Sequence, residues 1–297
     1  MKQLISIFTL LIVVLSGTAQ TAVSNFAFID YQRSFPRINE ALKRKEDTLR
    51  KQFDEKKLQW PAKYMYVRSF KYDSQLEVWV KGEKEEKYRL FKSYKVCALA
   101  GTLGPKRMQG DYQVPEGFYY INEFKPNSNY HLALGLNYPN SSDRILSDSL
   151  QPGGDIYIHG KCVTTGCIPI TDGQIEELYI LTAYARNQGQ DFIPVHIFPI
   201  NFSNQKSTAY LNKYLKDFPE YAPLAEELKH AYWYFDKVKE LPVIMVDSKG
   251  DYMVEGIIPE DKPAPAPKKR PVRPTTPIDE KELAKRQKTA LKKHQLI

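Results

Sequence analysis

The chain has 297 residues, 42% of them hydrophobic and 12% aromatic, with a formal net charge of +8. That length and apolar share suit one sizeable globular domain with extensions, or two small ones, and exclude a chain too polar to build a core. Three cysteines are too few for a disulfide scaffold, and their odd number leaves at least one free in an exported chain unless it pairs with another molecule.

The first 20 residues read as a secretory leader. Lys2 supplies the positive start, Leu4–Leu15 the apolar centre and Gly17-Thr18-Ala19 the small residues of a cleavage site. The apolar run is shorter than the roughly 20 residues a spanning helix needs. No cysteine sits at the cleavage point to carry a lipid. The expected destination is the periplasm or cell envelope, with no integral span after the leader is removed.

From Ser34 to Leu58 the pattern is helical and charged. Ile38, Leu42, Leu49 and Phe53 form a narrow apolar stripe. Pro36 suits the first turn, and Trp60-Pro61 ends a helix read as a strut against the core. Tyr64–Phe70, Gln75–Val80 and Tyr88–Cys97 then alternate as strands, punctuated by turns such as Lys81-Gly82-Glu83. They point to an antiparallel sheet or sandwich, with Cys97 as a buried packing residue. Residues 101–117 are rich in Gly and Pro and form a shaped loop, in which Lys106, Arg107 and Asp111 could address a charged substrate. Strands resume at Phe118–Asn122 and His131–Leu136. Residues 137–143 form a polar loop long enough to border a cleft, and His131 reads as structural.

Residues 155–171 hold the chemistry. Asp155–His159 reads as a short strand, Lys161–Gly166 as a loop of small residues, and Thr171 as a helix start. Thr171 and Gln174 make a capping box. Ile175, Leu178, Tyr179, Leu181 and Thr182 form the buried face, and Asn187–Gly189 the stop. His159, Cys162 and Cys167 fall within nine positions. A base at a strand end and a thiol after a glycine turn are what nucleophilic catalysis requires. A neighbouring imidazole and a nearby helix start would favour thiolate, and backbone amides at Gly166 and Cys167 could hold an oxyanion. Cys162 reads as a reduced thiol beside the site, although a disulfide to Cys97 or to Cys167 is also open. A zinc site on His159, Cys162 and Cys167 lacks a fourth ligand. A papain-like enzyme would place its cysteine before its histidine. Neither a metal nor a cofactor is expected.

Phe192–Ile200 is a strand with a structural His196. Ser207–Lys239 reads as two helices parted by Phe218-Pro219-Glu220, with Leu228, Tyr232 and Phe235 inward. Leu241–Val246 and Asp251–Val254 close as a hairpin around Ser248-Lys249-Gly250. Residues 260–297 carry eleven Lys/Arg against five Asp/Glu, a net of +6. Their Pro-Ala-Pro and Lys-Arg composition cannot bury a core, although residues 279–294 could form a charged helix.

His159-Gly160 followed by Thr164-Thr165-Gly166-Cys167-Ile168 resembles the catalytic motif of the YkuD-type L,D-transpeptidases, and most of all their divergent YafK-like branch. Leu103-Gly104-Pro105-Lys106, Gly110-Asp111, Pro115-Glu116-Gly117, Tyr138-Pro139-Asn140 and Ile168-Pro169-Ile170-Thr171-Asp172 fit that branch as well. The resemblance covers roughly residues 65–202. Thr165 stands where the family has a second histidine, and Pro169 where it often has an arginine.

The resemblance implies a mainly β, L,D-transpeptidase-like sandwich with flanking helices, α+β overall. The expected parts are a leader (1–20), an N-terminal helical segment (21–62), a catalytic domain (63–202), a helix and hairpin extension packed on it (203–258) and a basic tail (259–297). It implies Cys167 as nucleophile and His159 as general base and acid. The histidine would be oriented by a backbone carbonyl near Gly160, and Gly166 would contribute to the oxyanion site. Thr164, Thr165, Lys106, Tyr138 and Asn140 are the expected substrate contacts. Peptidoglycan stem peptides, or a protein attached to the wall, are the expected partners, and nucleic acid is not. With an amine as acceptor the enzyme is a transpeptidase, and with water a hydrolase. A wall-binding module without activity is the non-enzymatic alternative.

Overall fold

The structure is a computed structural model that describes residues 27–259. The expected leader, the basic tail from residue 260 onward and the helix at 279–294 lie outside the described residues.

Two helices open the fold, α1 (Phe28–Arg33) and α2 (Pro36–Glu55). Pro36 sits in the first turn of α2, where its missing N–H has no intrahelical partner to lose. The stripe Ile38, Leu42, Leu49 and Phe53 is buried, with Ala41 beside it. The strands are β1 (Tyr64–Phe70), β2 (Gln75–Lys81), β3 (Arg89–Lys95), β4 (Gly117–Lys125), β5 (Ala133–Leu136), β6 (Tyr157–His159), β7 (Ile168–Pro169) and β8 (Ile193–Phe198). The remaining helices are α3 (Ser141–Leu146), α4 (Asp172–Asn187), α5 (Gln205–Asp217) and α6 (Ala222–Val238), with a 3₁₀ turn at Pro219–Tyr221. A separate hairpin, β9 (Val243–Val246) and β10 (Tyr252–Glu255), closes the described chain.

The fold is α+β, and the eight strands form one sheet in the order β3-β2-β1-β8-β4-β5-β6-β7. The sequence suggested antiparallel pairing. Two joints are instead parallel, β1 with β8 and β6 with β7. Alternation along the central strands shows why they are buried on both faces. Met65 and Val67 of β1, with Val195 and Ile197 of β8, join the core that includes α2 and α4. Tyr66, Phe70 and Phe198 point the other way and pack with residues of α6, Tyr232 and Phe235 among them.

On the α6 face, Arg68 is buried, pairs with Glu77 at 2.7 Å and lies 4.9–5.4 Å from the ring centroids of Trp79, Tyr232, Phe235 and Phe70. On the other face α4 is buried nearly all round. The expected Ile175, Leu178, Tyr179, Leu181 and Thr182 are joined by Ile180, Ala183 and Ala185. Gln174 Oε1 accepts the Thr171 N–H at 3.0 Å, which satisfies one orphan donor at the helix start. His131 is structural, with Nε2 2.8 Å from Glu176 Oε1.

A second buried ion pair fixes the loop before β4. Lys71 Nζ lies 3.0 Å from Glu116 Oε1 and donates to the carbonyls of Gly104 and Val114 at 2.8 Å. Glu116 in turn accepts from the Gly104 N–H at 2.8 Å and from the Tyr221 hydroxyl. Residues 101–117 are thus pinned to both β1 and the 3₁₀ turn.

His196 of β8 is buried with Nδ1 2.8 Å from Tyr66 Oη, between the rings of Tyr66 and Phe118. Burial, with Arg68 nearby, pushes its pKa down to about 3. The unfolded imidazole therefore takes a proton below about pH 6.5 that the folded one refuses, and stability falls as pH falls through that window. The slope per histidine is at most about 1.4 kcal/mol per pH unit. Asp143, raised by burial to about 6, works in the opposite direction over the upper part of the same range. Melting temperatures measured from pH 7 to 4 should therefore fall more steeply in the wild type than in His196→Gln. Parallel curves would show that His196 is not the titrating group.

Candidate active site

The site is built on the far edge of the sheet. β6 pairs antiparallel with β5 and parallel with β7, with Ile158 opposite Ile168 and His159 opposite Pro169. Cys167 stands one residue before β7, next to Tyr157, whose N–H points at its Sγ from 3.4 Å. Ile158 and Ile168 turn into the core. By alternation, Tyr157, His159 and Cys167 share the other face.

His159 is only 2% exposed, and its Nδ1 lies 2.5 Å from the Gly160 carbonyl. A carbonyl can only accept, so Nδ1 carries the proton and Nε2 the lone pair. Nε2 has no hydrogen-bond partner among the described residues. The Tyr130 ring lies 4.7 Å from the imidazole. Burial lowers the His159 pKa and outweighs the raising effect of the Gly160 carbonyl, so the ring is a neutral base near pH 7. Gly160 has no room for a side chain. A Cβ there would lie 2.6 Å from Asp172 Oδ1 and 2.8 Å from the Tyr130 carbonyl.

Cys167 is half-buried and is the free cysteine of the three. Its thiol donates to the Asp155 carbonyl at 3.4 Å rather than to His159. Burial pushes its pKa up, and the Asp155 carboxylate adds to this. The Tyr157 N–H and Lys106 work the other way without reversing it. The sequence led us to expect a favoured thiolate. The structure corrects this: α4 begins only at Asp172, the nearby imidazole is uncharged, and burial decides. The resting pair is a thiol and a neutral imidazole.

The thiol opens into a cavity of about 400 Å³ lined by Lys106, Gln109, Gly110, Tyr112, Gly153, Gly154, Asp155, Ile156, Thr165, Gly166 and Cys167. One wall is the loop 101–117. Lys106 Nζ is buried and reaches Asp111 Oδ1 at 2.5 Å and the Met108 carbonyl at 2.7 Å. Burial works to raise the Asp111 carboxyl, but Lys106 and the N–H groups of Arg107, Gln113 and Met108 hold it below the usual range.

Gly166 takes a left-handed φ of +143°, and a Cβ there would meet the Gln113 carbonyl at 3.0 Å. Its N–H already donates to Thr164 Oγ1 at 3.0 Å, while the Thr164 hydroxyl donates to the Cys167 carbonyl at 2.8 Å. The oxyanion role expected of the Gly166 amide is therefore met by an engaged donor. The neighbouring Cys167 N–H has no acceptor among the described residues.

The expected substrate contacts divide. Lys106 and Thr165 line the cavity, and Thr164 shapes the turn beneath it. Tyr138 and Asn140 do not line it. The Tyr138 hydroxyl is buried and donates to the Pro152 carbonyl at 2.9 Å. Asn140 caps α3, accepting from the Asp143 N–H at 3.0 Å and donating to the Phe118 carbonyl and the Tyr252 hydroxyl. Both support the fold because their polar groups are already satisfied. Sequence reasoning missed Tyr157 and Asp155. Both contact the thiol through backbone atoms, which no residue pattern marks.

The largest correction concerns the other cysteines. Cys97 is not a packing thiol and Cys162 is not reduced: the two form a disulfide that ties the end of β3 to the loop 160–167. The Cys97 N–H adds a bond to the Pro169 carbonyl at 3.0 Å. With Cys162 in the bridge, the ligand set imagined for zinc does not exist.

Comparison with known proteins finds relatives of this chain. The profile of the L,D-transpeptidase catalytic domain (YkuD) matches residues 66–197. The Escherichia coli K12 protein named "Putative L,D-transpeptidase YafK" is 37% identical over 194 residues, covering 64% of this chain and 73% of that one. Among solved structures, the helical cell shape determining protein Pgp2 of Campylobacter jejuni is 24% identical with a TM-score of 0.36. That match covers 46% of this chain and 48% of Pgp2, about half the length of each. Bd1075 of Bdellovibrio bacteriovorus is 20% identical with a TM-score of 0.34, over 58% of this chain and 63% of that one.

Two measurements check the site as described. The bridge closes a segment of 65 residues, so the double variant Cys97→Ser/Cys162→Ser should lose about 4 kcal/mol in urea unfolding. A loss under about 1 kcal/mol would show that the bridge does not constrain the chain. With the bridge intact, iodoacetamide should modify one cysteine per chain, Cys167. Its rate should still be rising where an ordinary thiol has levelled off, and saturation below pH 8 would contradict a thiol raised by burial.

Proposed function

This chain belongs to the YkuD L,D-transpeptidase family, and we propose that it transfers acyl groups of peptidoglycan stem peptides through a thioester on Cys167. The observation that carries this reading is the His159 Nδ1–Gly160 carbonyl bond. It leaves the Nε2 lone pair free on the sheet face that also bears the one free thiol among the described residues.

In this mechanism Cys167 Sγ attacks the carbonyl of a stem-peptide bond while Nε2 of His159 takes the thiol proton. Because both groups rest neutral, the proton moves with the attack rather than before it, as in general-base catalysis. The Cys167 N–H donates to the developing oxyanion in a cavity narrowed by loop 101–117. Collapse breaks the peptide bond, and the imidazolium returns its proton to the departing amine, which family membership assigns to a terminal D-amino acid. An acceptor amine then attacks the thioester, His159 takes its surplus proton, and the thiol is restored. Lys106 and Thr165, at the cavity wall, are the side chains placed to meet the peptide.

A disulfide persists where the surroundings are oxidising. The Cys97–Cys162 bridge and the peptidoglycan substrate of the family both support a location outside the cytoplasm. Among the described residues no helix is long and apolar enough to cross a membrane.

The test is mass spectrometry of muropeptides incubated with the full-length purified protein and with Cys167→Ala. New dimers joined between two stem peptides are expected with the wild type and none with the variant, whose melting curve should stay close to the parent. His159→Gln should lower kcat by roughly a hundred- to ten-thousandfold. Shortened monomers without dimers would make water the acceptor on the same thioester. Identical products with and without Cys167 would defeat the assignment.

A further inference from the structure

Two charged side chains line the Cys167 cavity, and they are treated differently. Lys106 is buried and its ammonium is matched by Asp111 at 2.5 Å. Asp155 is exposed and enters no ion pair among the described residues. Its Oδ1 lies 3.4 Å from Tyr157 Oη, whose one proton goes to a nearer acceptor. The same hydroxyl donates to Glu123 at 2.9 Å and accepts from Lys125 Nζ at 3.2 Å. Two carboxylates and one ammonium around one hydroxyl leave a surplus negative charge at the mouth of the cavity.

The backbone of Asp155 has its own task. Its φ is +55°, a left-handed conformation that Asp and Asn adopt more readily than other residues with a side chain. Its carbonyl is the acceptor for the Cys167 thiol. Asn would serve that turn equally well. The carboxylate, by contrast, opposes ionisation of the very thiol that must attack. A charge that hinders the free enzyme, and that has Lys125 nearby but no ion pair among the described residues, is open to a partner of opposite sign from outside.

We propose that Asp155 is a specificity-determining residue whose carboxylate binds a protonated amine on the substrate peptide, within the cavity that holds Cys167. The inference rests on the acyl-transfer reading of the site. A bound ammonium also cancels the charge that opposes thiolate, so the nucleophile is eased when a cationic substrate is seated and stays a thiol otherwise. A peptide whose side-chain amine is acylated lacks that cation and is the poorer substrate.

The experiment uses the full-length protein and two muropeptides, one with a free side-chain amine and the same one with that amine acetylated. Release of the terminal D-amino acid is followed, so that the acceptor step is not scored. The wild type should prefer the free amine by about fivefold in kcat/KM, the scale of one partly exposed charge pair. In Asp155→Asn the ratio should fall to about one. Without substrate, iodoacetamide at pH 7 should modify Cys167 about threefold faster in Asp155→Asn, because the opposing charge is gone. An unchanged ratio in the variant overturns the role of Asp155 and leaves the acyl-transfer reading standing. Release from neither muropeptide by the wild type overturns both.

Discussion

The site depends on a short return between two parallel strands. A parallel pair ordinarily needs a connection of about a dozen residues or more. Eight residues, 160 to 167, join β6 to β7 here. So tight a loop works because its critical positions carry no side chain. Gly160 clears Asp172 and the Tyr130 carbonyl, and Gly166 takes a left-handed φ against the Gln113 carbonyl. The disulfide and the Thr164 hydroxyl then hold the loop in place. His159 and Cys167 are brought to one face by this closure. It is also why a backbone carbonyl rather than a carboxylate orients the histidine: the next residue in the turn is the nearest acceptor.

Burial sets the electrostatics that follow. Both reactive groups lie largely out of water, and desolvation disfavours the charged form of each. The imidazole is pushed toward neutrality from one side and the thiol from the other. A neutral resting pair does not carry a standing thiolate in an oxidising compartment, where such a group is readily lost to oxidation. In the proposed mechanism, activation is left to the bound substrate. The role proposed for the Asp155 carboxylate is one route by which the substrate would supply it.

The rest of the fold holds the opposite wall. Loop 101–117 brings Lys106, held by Asp111, to the cavity, and it is pinned from beneath by the buried Lys71–Glu116 pair. Glu116 also receives the Tyr221 hydroxyl, so the 3₁₀ turn before α6 is tied to a wall of the cavity. Removing either member of a buried pair strands the other charge. The cluster therefore couples the packing of the C-terminal helices to the shape of the cavity.

What the sequence alone determined is local. The stripe on α2, the buried face of α4 and its Thr171–Gln174 start follow from periodicity and capping, which act over a turn or two of chain. That His159 and Cys167 flank one short loop was legible for the same reason, since few residues separate them and glycines mark the turn. The tertiary structure alone decided the rest. The Cys97–Cys162 bridge joins positions 65 residues apart, and nothing local to either cysteine announces its partner. Tyr138 and Asn140 look available in a polar loop, and only the packed fold shows their polar groups already engaged. The parallel joints, the tautomer of His159 and the upward shift of the thiol likewise follow from neighbours far away in sequence. Burial is a property of the assembled core, and a residue's own position in the chain does not state it.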